Sequence, residues 1–466
     1  MSAASTLISN AVIVTVDDKD SVHYDATIAI ENGRIADIGA NADLAKRYPT
    51  AERVDGKGKL VMPGFANIHT HLTMTMARGV FEDLSPPHKP PFSAGLSPIP
   101  LPDMTPEERC TMAELGALEA MRSGTTFLLE DSNDIDHYAA TLARSGLRLL
   151  FGERAHDRVG SGIGDPGPLR IDRALGQKHI DNIERNFKAF DGKYDDRVHV
   201  CISAWAPDMC SPELLRDLSA LQKKLGTRIT IHLNQIWGEV AAIRAHRNRL
   251  PSEFLDDLGF LNDKVICAHA RCMTPEEEKI LGRNRVNVSF NAAIAARRGL
   301  SPRVHDLETY GCNIGMGSDN MAEDMVEVLR TGLLMERIRR EDGRNPSPEH
   351  ALRWATRNGY RALGVPDGGW LAPGNRADLI LVDLQRAHLV PMLRAVSDFV
   401  HNGQARDVEA VMVDGKWTMR DGKVLGMNEA EIIERAQKTA RDCWSRLFKR
   451  RFDIKVPEGF DPAALP

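Results

Sequence analysis

The stretch from Val61 to Thr75 reads VMPGFANIHTHLTMT and carries His69 and His71 two positions apart, directly after an apolar run. In an extended strand residues i and i+2 point to one face, so both imidazoles can reach a single metal ion. The pair alone decides little. With 15 histidines in 466 residues, chance supplies about 0.5 such pairs per chain, so the motif needs context.

Three later apolar runs of strand length each end in a residue able to bind or polarise: RITIHLNQ with His232, KVICAHARC with His269, and CNIGMGSDN with Asp319. The segments between them are long enough for a helix and its loops. Chemistry-bearing residues at successive strand C-termini are the arrangement of a parallel (β/α)8 barrel.

This ordered set, His69-Thr-His71 after PGFANI, then His232, His269 and Asp319, resembles the amidohydrolase superfamily, in particular its cytosine deaminase and triazine hydrolase branch. The resemblance extends over LISNAVIVTVDD, ENGRIADIG, RSGTTFLLED, LAPGNRADLILVD and VEAVMVDGKW. It implies an α/β fold, a (β/α)8 TIM barrel with a small β-sandwich built from both termini. It also implies a metal-activated water, a homo-oligomer, and a His269 that polarises the substrate or that water.

The residues support the same division. Short β-type runs fill residues 6 to 60, and Ala377 to Asp383 and Val408 to Trp417 alternate in the same way, so residues 1–60 and 377–427 are expected to form one composite sandwich. The barrel is expected over 61–376. Its first helix, TPEERCTMAELGALEAMRSG, opens on a Thr cap with a capping-box Glu and closes on Gly124. The second strand is expected at Thr125 to Glu130, the third at LRLLFGE and the fourth at RVHVCISAWAP. The fourth contains no lysine to bridge two ions, which favours a single metal. The proline-rich loop from Arg78 to Asp103 cannot be regular helix or central strand. It is expected to act as a lid, with Phe92, His88 and Leu96 facing the substrate. The segment 428–466 is expected to be a helical tail, amphipathic from Asn428 to Arg451.

Composition bounds the partners. The 60 basic and 65 acidic residues give a net charge of −5, too mild to imply nucleic acid or an anionic membrane surface. A small-molecule substrate is expected. Seven scattered cysteines form no disulfide framework, and no leader or membrane span is evident, so the expected location is cytoplasmic. Cys267 and Cys272 flank His269 and read as buried thiols rather than ligands.

His69, His71, His232 and Asp319 form the expected metal shell around one divalent ion, with Zn the default and Co, Fe, Mn or Ni admitted by the same donors. Such an ion lowers the pKa of a water from 15.7 toward about 7. Asp319 can accept that water's proton, and it can also cap the helix that follows. The catalytic set is His269, Asp319 and Gln235. Position 235 departs from the pattern: deaminases of the branch carry Glu three residues after the third histidine, where this chain reads His232-Leu-Asn-Gln235. Glutamine hydrogen-bonds but cannot deliver a proton at neutral pH. Glu239 or Asp319 is then left to supply it, or the leaving group needs less help.

The overall length, the preserved β-sandwich ends and that substitution make the chain similar to the phenylurea and molinate hydrolases of the superfamily. The reading drawn from it is hydrolysis of a C–N or C–S bond in a neutral urea, carbamate, thiocarbamate or amide. Alternatives are an aminohydrolase or chlorohydrolase of an N-heterocycle (triazine, pyrimidine or purine) and an inactive scaffold. Expected substrate contacts are Trp205, Asp208, Asn234, Trp237, His305 and Phe92, with Met209 and Asn291 nearby. Met74, Met76 and Met316 read as packing.

Overall fold

Eight parallel strands form the barrel: Phe65–Thr70, Thr125–Ser132, Arg148–Ala155, Val198–Ala204, Ile229–Leu233, Val265–His269, Asn287–Phe290 and Asn313–Met316, each hydrogen-bonded to the next in chain order. The structure is a computed structural model that describes residues 6–92, 95–451, 453–456 and 458–459. The barrel closes between the first and last strands. Asp319 pairs with Thr70 in a parallel bridge, with His71 N donating to Asp319 O (2.7 Å) and Asp319 N donating to His69 O (3.0 Å). Strands of a closed barrel are buried on both faces: Val265–His269 reads as a nearly unbroken apolar run, and Ile229–Leu233 is buried throughout although Thr230 and His232 alternate with its apolar residues.

The helix expected before the second strand spans Pro106–Arg122. Thr105 and Glu108 exchange capping hydrogen bonds at 3.3 and 2.8 Å, and Gly124 takes the left-handed φ of +94° that ends the segment. The third and fourth strands fall where the apolar runs place them.

Both termini combine beside the barrel, in one connected nine-stranded mixed sheet. Lys59–Pro63 from the N-terminal half pairs antiparallel with Leu379–Asp383 from the C-terminal half and parallel with Thr6–Val14. Val61 lies inside that strand, so the barrel itself starts at Phe65, after Gly64. A small apolar core of Ile8, Ile13, Ile28, Val61, Leu379 and Met412 fills one face of the sheet. The buried Arg148 ties barrel to sheet: its guanidinium donates to both Asp378 oxygens (3.0 and 3.4 Å) and to Asp414, and Tyr360 Oη donates to Asp378 at 2.9 Å.

The tail forms one helix, Glu429–Arg450, packed on Pro106–Arg122 of its own barrel. It buries Ala436, Cys443 and Trp444 against Met76, Phe81 and Met112, and Trp444 Nε1 donates to Met76 O at 2.8 Å. Residues 452, 457 and 460–466 of the expected tail lie outside the described residues. Among the described residues no helix is long and apolar enough to cross a membrane.

Replacing Asp378 with alanine strands the Arg148 charge in the core. Chemical denaturation should then show a loss of about 3–5 kcal/mol, with much of it recovered when Arg148 is also replaced by methionine.

Candidate metal centre

The barrel seam gathers the donors. His69 is the fifth residue of the first strand and His71 follows its last. Asp319 enters the seam with φ +73°, a left-handed conformation that a non-glycine residue holds only when its surroundings enforce it. Gly317 permits this close approach: a Cβ there would stand 2.9 Å from the His69 carbonyl oxygen and 2.7 Å from Ser289 Oγ. Below the seam Glu323 accepts from Thr70 Oγ1 (2.8 and 2.7 Å) and Asn67 Nδ2 (3.2 Å), joining first strand to last.

Second contacts orient the imidazoles. His71 Nδ1–H donates to the Asp131 carbonyl at 2.6 Å, and His232 Nδ1–H donates to the Trp205 carbonyl at 2.7 Å. Both Nε2 lone pairs then point at each other across 3.2 Å. Two lone pairs held at that distance repel unless a cation lies beside them. His69 is fully buried, with no hydrogen-bond partner for either ring nitrogen among the described residues, and its Nε2 lies 3.9 Å from Asp319 Oδ1. Asp319 Oδ1 is 3.6 Å from His71 Nε2, and its Oδ2, 3.7 Å from His269 Nδ1, has no hydrogen-bond partner among the described residues. These unsatisfied donors fit a divalent ion, with His69, His71, His232 and Asp319 able to hold it.

Electrostatics agree. Burial lowers His69 and His269 well below the usual histidine range and His232 to about 3, so the rings are neutral lone-pair donors at pH 7. Burial raises the Asp319 carboxyl, against the pull of His71, Arg271 and Arg298. Asp131, absent from the sequence reading, sits within the same donor cluster. Its Oδ1 accepts from Arg154 Nε (3.1 Å) and Ser203 Oγ (2.7 Å), and it faces Nδ1 of His232 rather than Nε2, which makes it a support for the ring. Burial opposes its charge, yet Arg154 and the histidines hold its carboxyl well below the ordinary range. The signal for it was a charged pair, Glu130-Asp131, at the end of an apolar strand.

His269 ends the sixth strand at φ +82° and is gripped by two amides: Gln235 Nε2 lies 2.9 Å from its Nε2, and Asn291 Nδ2 lies 3.1 Å from its Nδ1. A neutral imidazole offers one donor and one acceptor, so the two amides cannot both donate. Ser289 Oγ–H donates to Asn291 Oδ1 at 2.6 Å, which leaves Asn291 donating to Nδ1. Gln235 therefore turns its oxygen, otherwise unpartnered among the described residues, to Nε2–H.

Other expected residues divide. Trp205 stands at the mouth, edge-on to His156 and beneath Arg154. Leu96 packs with it and with Met209, His88 Nε2–H donates to Arg298 O at 2.7 Å, and Gly95 N donates to Ile163 O, so the proline-rich loop reaches both sides of the mouth. Phe92 and Trp237 are half-buried. Met74, Met76 and Met316 pack in apolar clusters. Asn234 is spent within the protein, donating to Cys272 O and Glu277. Asp208 accepts from Gly164 N at 2.7 Å. Glu239 accepts from the backbone N–H groups of Asn234 and Gln235, both at 2.8 Å, which holds the turn that presents Gln235. Burial raises the Asp208 and Glu239 carboxyls alike. His305 is exposed on the helix Val304–Tyr310, apart from the cluster. Cys267 and Cys272 are buried thiols outside both donor groups.

A closed parallel barrel with three imidazoles and a carboxylate converging at its strand ends defines a metal-dependent barrel hydrolase. The amidohydrolase family pattern matches residues 60–418, and the chain belongs to that family. It is 32% identical over 445 residues to a 5-methylthioadenosine/S-adenosylhomocysteine deaminase of Pelotomaculum thermopropionicum, covering 94% of this chain and 98% of the relative. In fold it is similar to an adenosine deaminase of Xanthomonas campestris solved with bound zinc (TM-score 0.82, 23% identity, 95% and 99% covered). It is likewise similar to an atrazine chlorohydrolase of Arthrobacter aurescens complexed with zinc (TM-score 0.80, 19% identity, 93% and 100% covered).

Metal analysis of the purified protein should find close to one divalent ion per chain, reduced to background by His71→Ala or Asp319→Ala. Chelation should lower the melting temperature, and zinc should restore it, since an ion at 100 times its dissociation constant stabilises by about 2.7 kcal/mol.

Proposed function

We propose that the chain is a zinc-dependent hydrolase acting on an amino-substituted N-heterocycle of purine or pyrimidine type, releasing ammonia. The observation carrying this reading is the full-length similarity to a 5-methylthioadenosine/S-adenosylhomocysteine deaminase, joined to a complete donor set. It takes the ring-hydrolysing alternative ahead of urea, carbamate or thiocarbamate cleavage, for which Gln235 was the main argument.

An ion held by His69, His71, His232 and Asp319 would supply a water whose pKa is low enough to ionise at neutral pH. Asp319, whose Oδ2 has no hydrogen-bond partner among the described residues, would accept that water's proton, a role suited to a carboxyl raised by burial. His269, with its protonated Nε2 held by Gln235, fixes the orientation of the Gln235 amide. The NH2 of Gln235 is then turned toward the substrate space and donates to a ring nitrogen beside the attacked carbon. Since Gln235 holds no transferable proton, Asp319 returns the one it took to the departing amine. Glu239 is committed to backbone N–H groups and stays out of this relay.

The test is ammonia release by zinc-loaded enzyme from adenosine derivatives, aminopyrimidines and aminotriazines, set against cleavage of phenylureas and thiocarbamates. Turnover is expected on the ring set, and Gln235→Glu should raise kcat by about 10-fold or more as general acid catalysis is restored. Cleavage confined to ureas or thiocarbamates would overturn the reading.

A further inference from the structure

Two residues past His269 the chain is turned by left-handed backbone at His269 and Ala270, and Arg271 N is anchored to Asn234 O at 3.1 Å. The Arg271 side chain is only 7% exposed, yet Nε, Nη1 and Nη2 are all buried with no hydrogen-bond partner among the described residues. Other buried arginines are engaged: Arg148 by Asp378 and Asp414, Arg158 by the carbonyls of Asp208 and Asp165, Arg298 by the Leu96 carbonyl (3.2 Å). A desolvated guanidinium whose nitrogens all lack acceptors is costly, and folds retain such groups where a ligand completes them.

The charged groups that act on Arg271 are the carboxyls of Asp319 and Glu239, which attract it, and Arg298, which repels it. Asp319 is committed to the donor cluster. Arg298 is itself nine-tenths buried at the edge of the proline-rich loop. Glu239 is committed to the backbone N–H groups of Asn234 and Gln235, so neither carboxylate hydrogen-bonds the guanidinium, and its N–H groups are left for an acceptor from outside the protein. A planar fork of N–H donors matches two coplanar oxygens better than a tetrahedral dianion, because both acceptor atoms can be met in parallel.

We propose that Arg271 recognises a carboxylate carried by the substrate, so that the heterocycle taken by this site is an anionic one. The inference rests on the ring-hydrolysis reading and adds its specificity-determining residue.

The experiment uses zinc-loaded wild type, Arg271→Met and Arg271→Lys. Ligands are matched pairs of aminopyrimidines and aminopurines with and without a carboxylate, a phosphonate analogue of each acid, and the corresponding hydroxylated product acids. KM, kcat, calorimetric binding of the product acids and ligand-free melting temperature are recorded. For Arg271→Met, KM and Kd of the acids should rise about 10²-fold while kcat changes far less, and the uncharged ligands should bind as before. Lysine should restore part of the loss. The ligand-free melting temperature should not fall, because an unpaired buried charge has been removed.

Equal losses on acids and uncharged ligands, undetectable binding of the acids by wild type, preference for the phosphonate, or a drop in melting temperature would each overturn the proposal. If wild type turns over no ring but binds the acids through Arg271, ring hydrolysis falls and the anion site stands. If rings are turned over with no gain from the carboxylate, the reverse holds.

Discussion

The seam between the first and last barrel strands is the constraint on which the site depends. Its two backbone hydrogen bonds, His71 N to Asp319 O and Asp319 N to His69 O, fix three of the four metal donors relative to one another. Glu323 braces the same seam from below through Thr70 and Asn67. Side-chain freedom is small there. Asp319 and His269 hold left-handed backbone, and Gly317 leaves no room for a methyl group. Strain of this kind persists because a closed barrel determines the position from both sides.

Around the seam the charges are layered. The imidazoles form the inner set, His71 and His232 turned by the carbonyls of Asp131 and Trp205. Carboxyls lie outside them: Asp131 ionised against Arg154, and Glu130, pushed up to about 7 by burial, accepting from Leu72 N and Tyr138 Oη. Arg271 and Arg298 lie close enough to Asp319 to favour its charged form. Among the buried polar atoms with no hydrogen-bond partner in the described residues are Asp319 Oδ2 and all three nitrogens of the Arg271 guanidinium.

The sequence made the donors legible because each sits at the end of an apolar run, where strand chemistry and ligand chemistry coincide: His69, His71, His232, His269 and Asp319 all meet at the mouth. The composite terminal sheet was legible from alternation, although Val61 belongs to it rather than to the barrel. What stayed hidden depends on contacts across the fold. Asp131 and Glu323 act through residues far along the chain, and only coordinates show Asn234 and Glu239 turned into the protein. Arg271 stood in the quoted run AHARC, but its lack of an acceptor is a property of packing. The urea reading rests on chain length, the sandwich ends and Gln235, and these weigh less than similarity over the whole length.

Thr70 and Glu323, which brace the seam, stand 253 residues apart. At about 5–20 residues per second of synthesis, the first two histidines wait for tens of seconds before Asp319 exists. Met76, just beyond them, is bonded by Trp444 of the last helix. A chain still short of the final helix has all four donors but leaves the apolar wall around Met76 uncovered. Contacts spanning so much sequence also close late, since loop closure precedes the gain from the contact. Nascent chains of this fold present open strand edges for most of their synthesis, and Asp319 and Glu323, in the fourth fifth of the sequence, decide whether the first fifth can hold an ion.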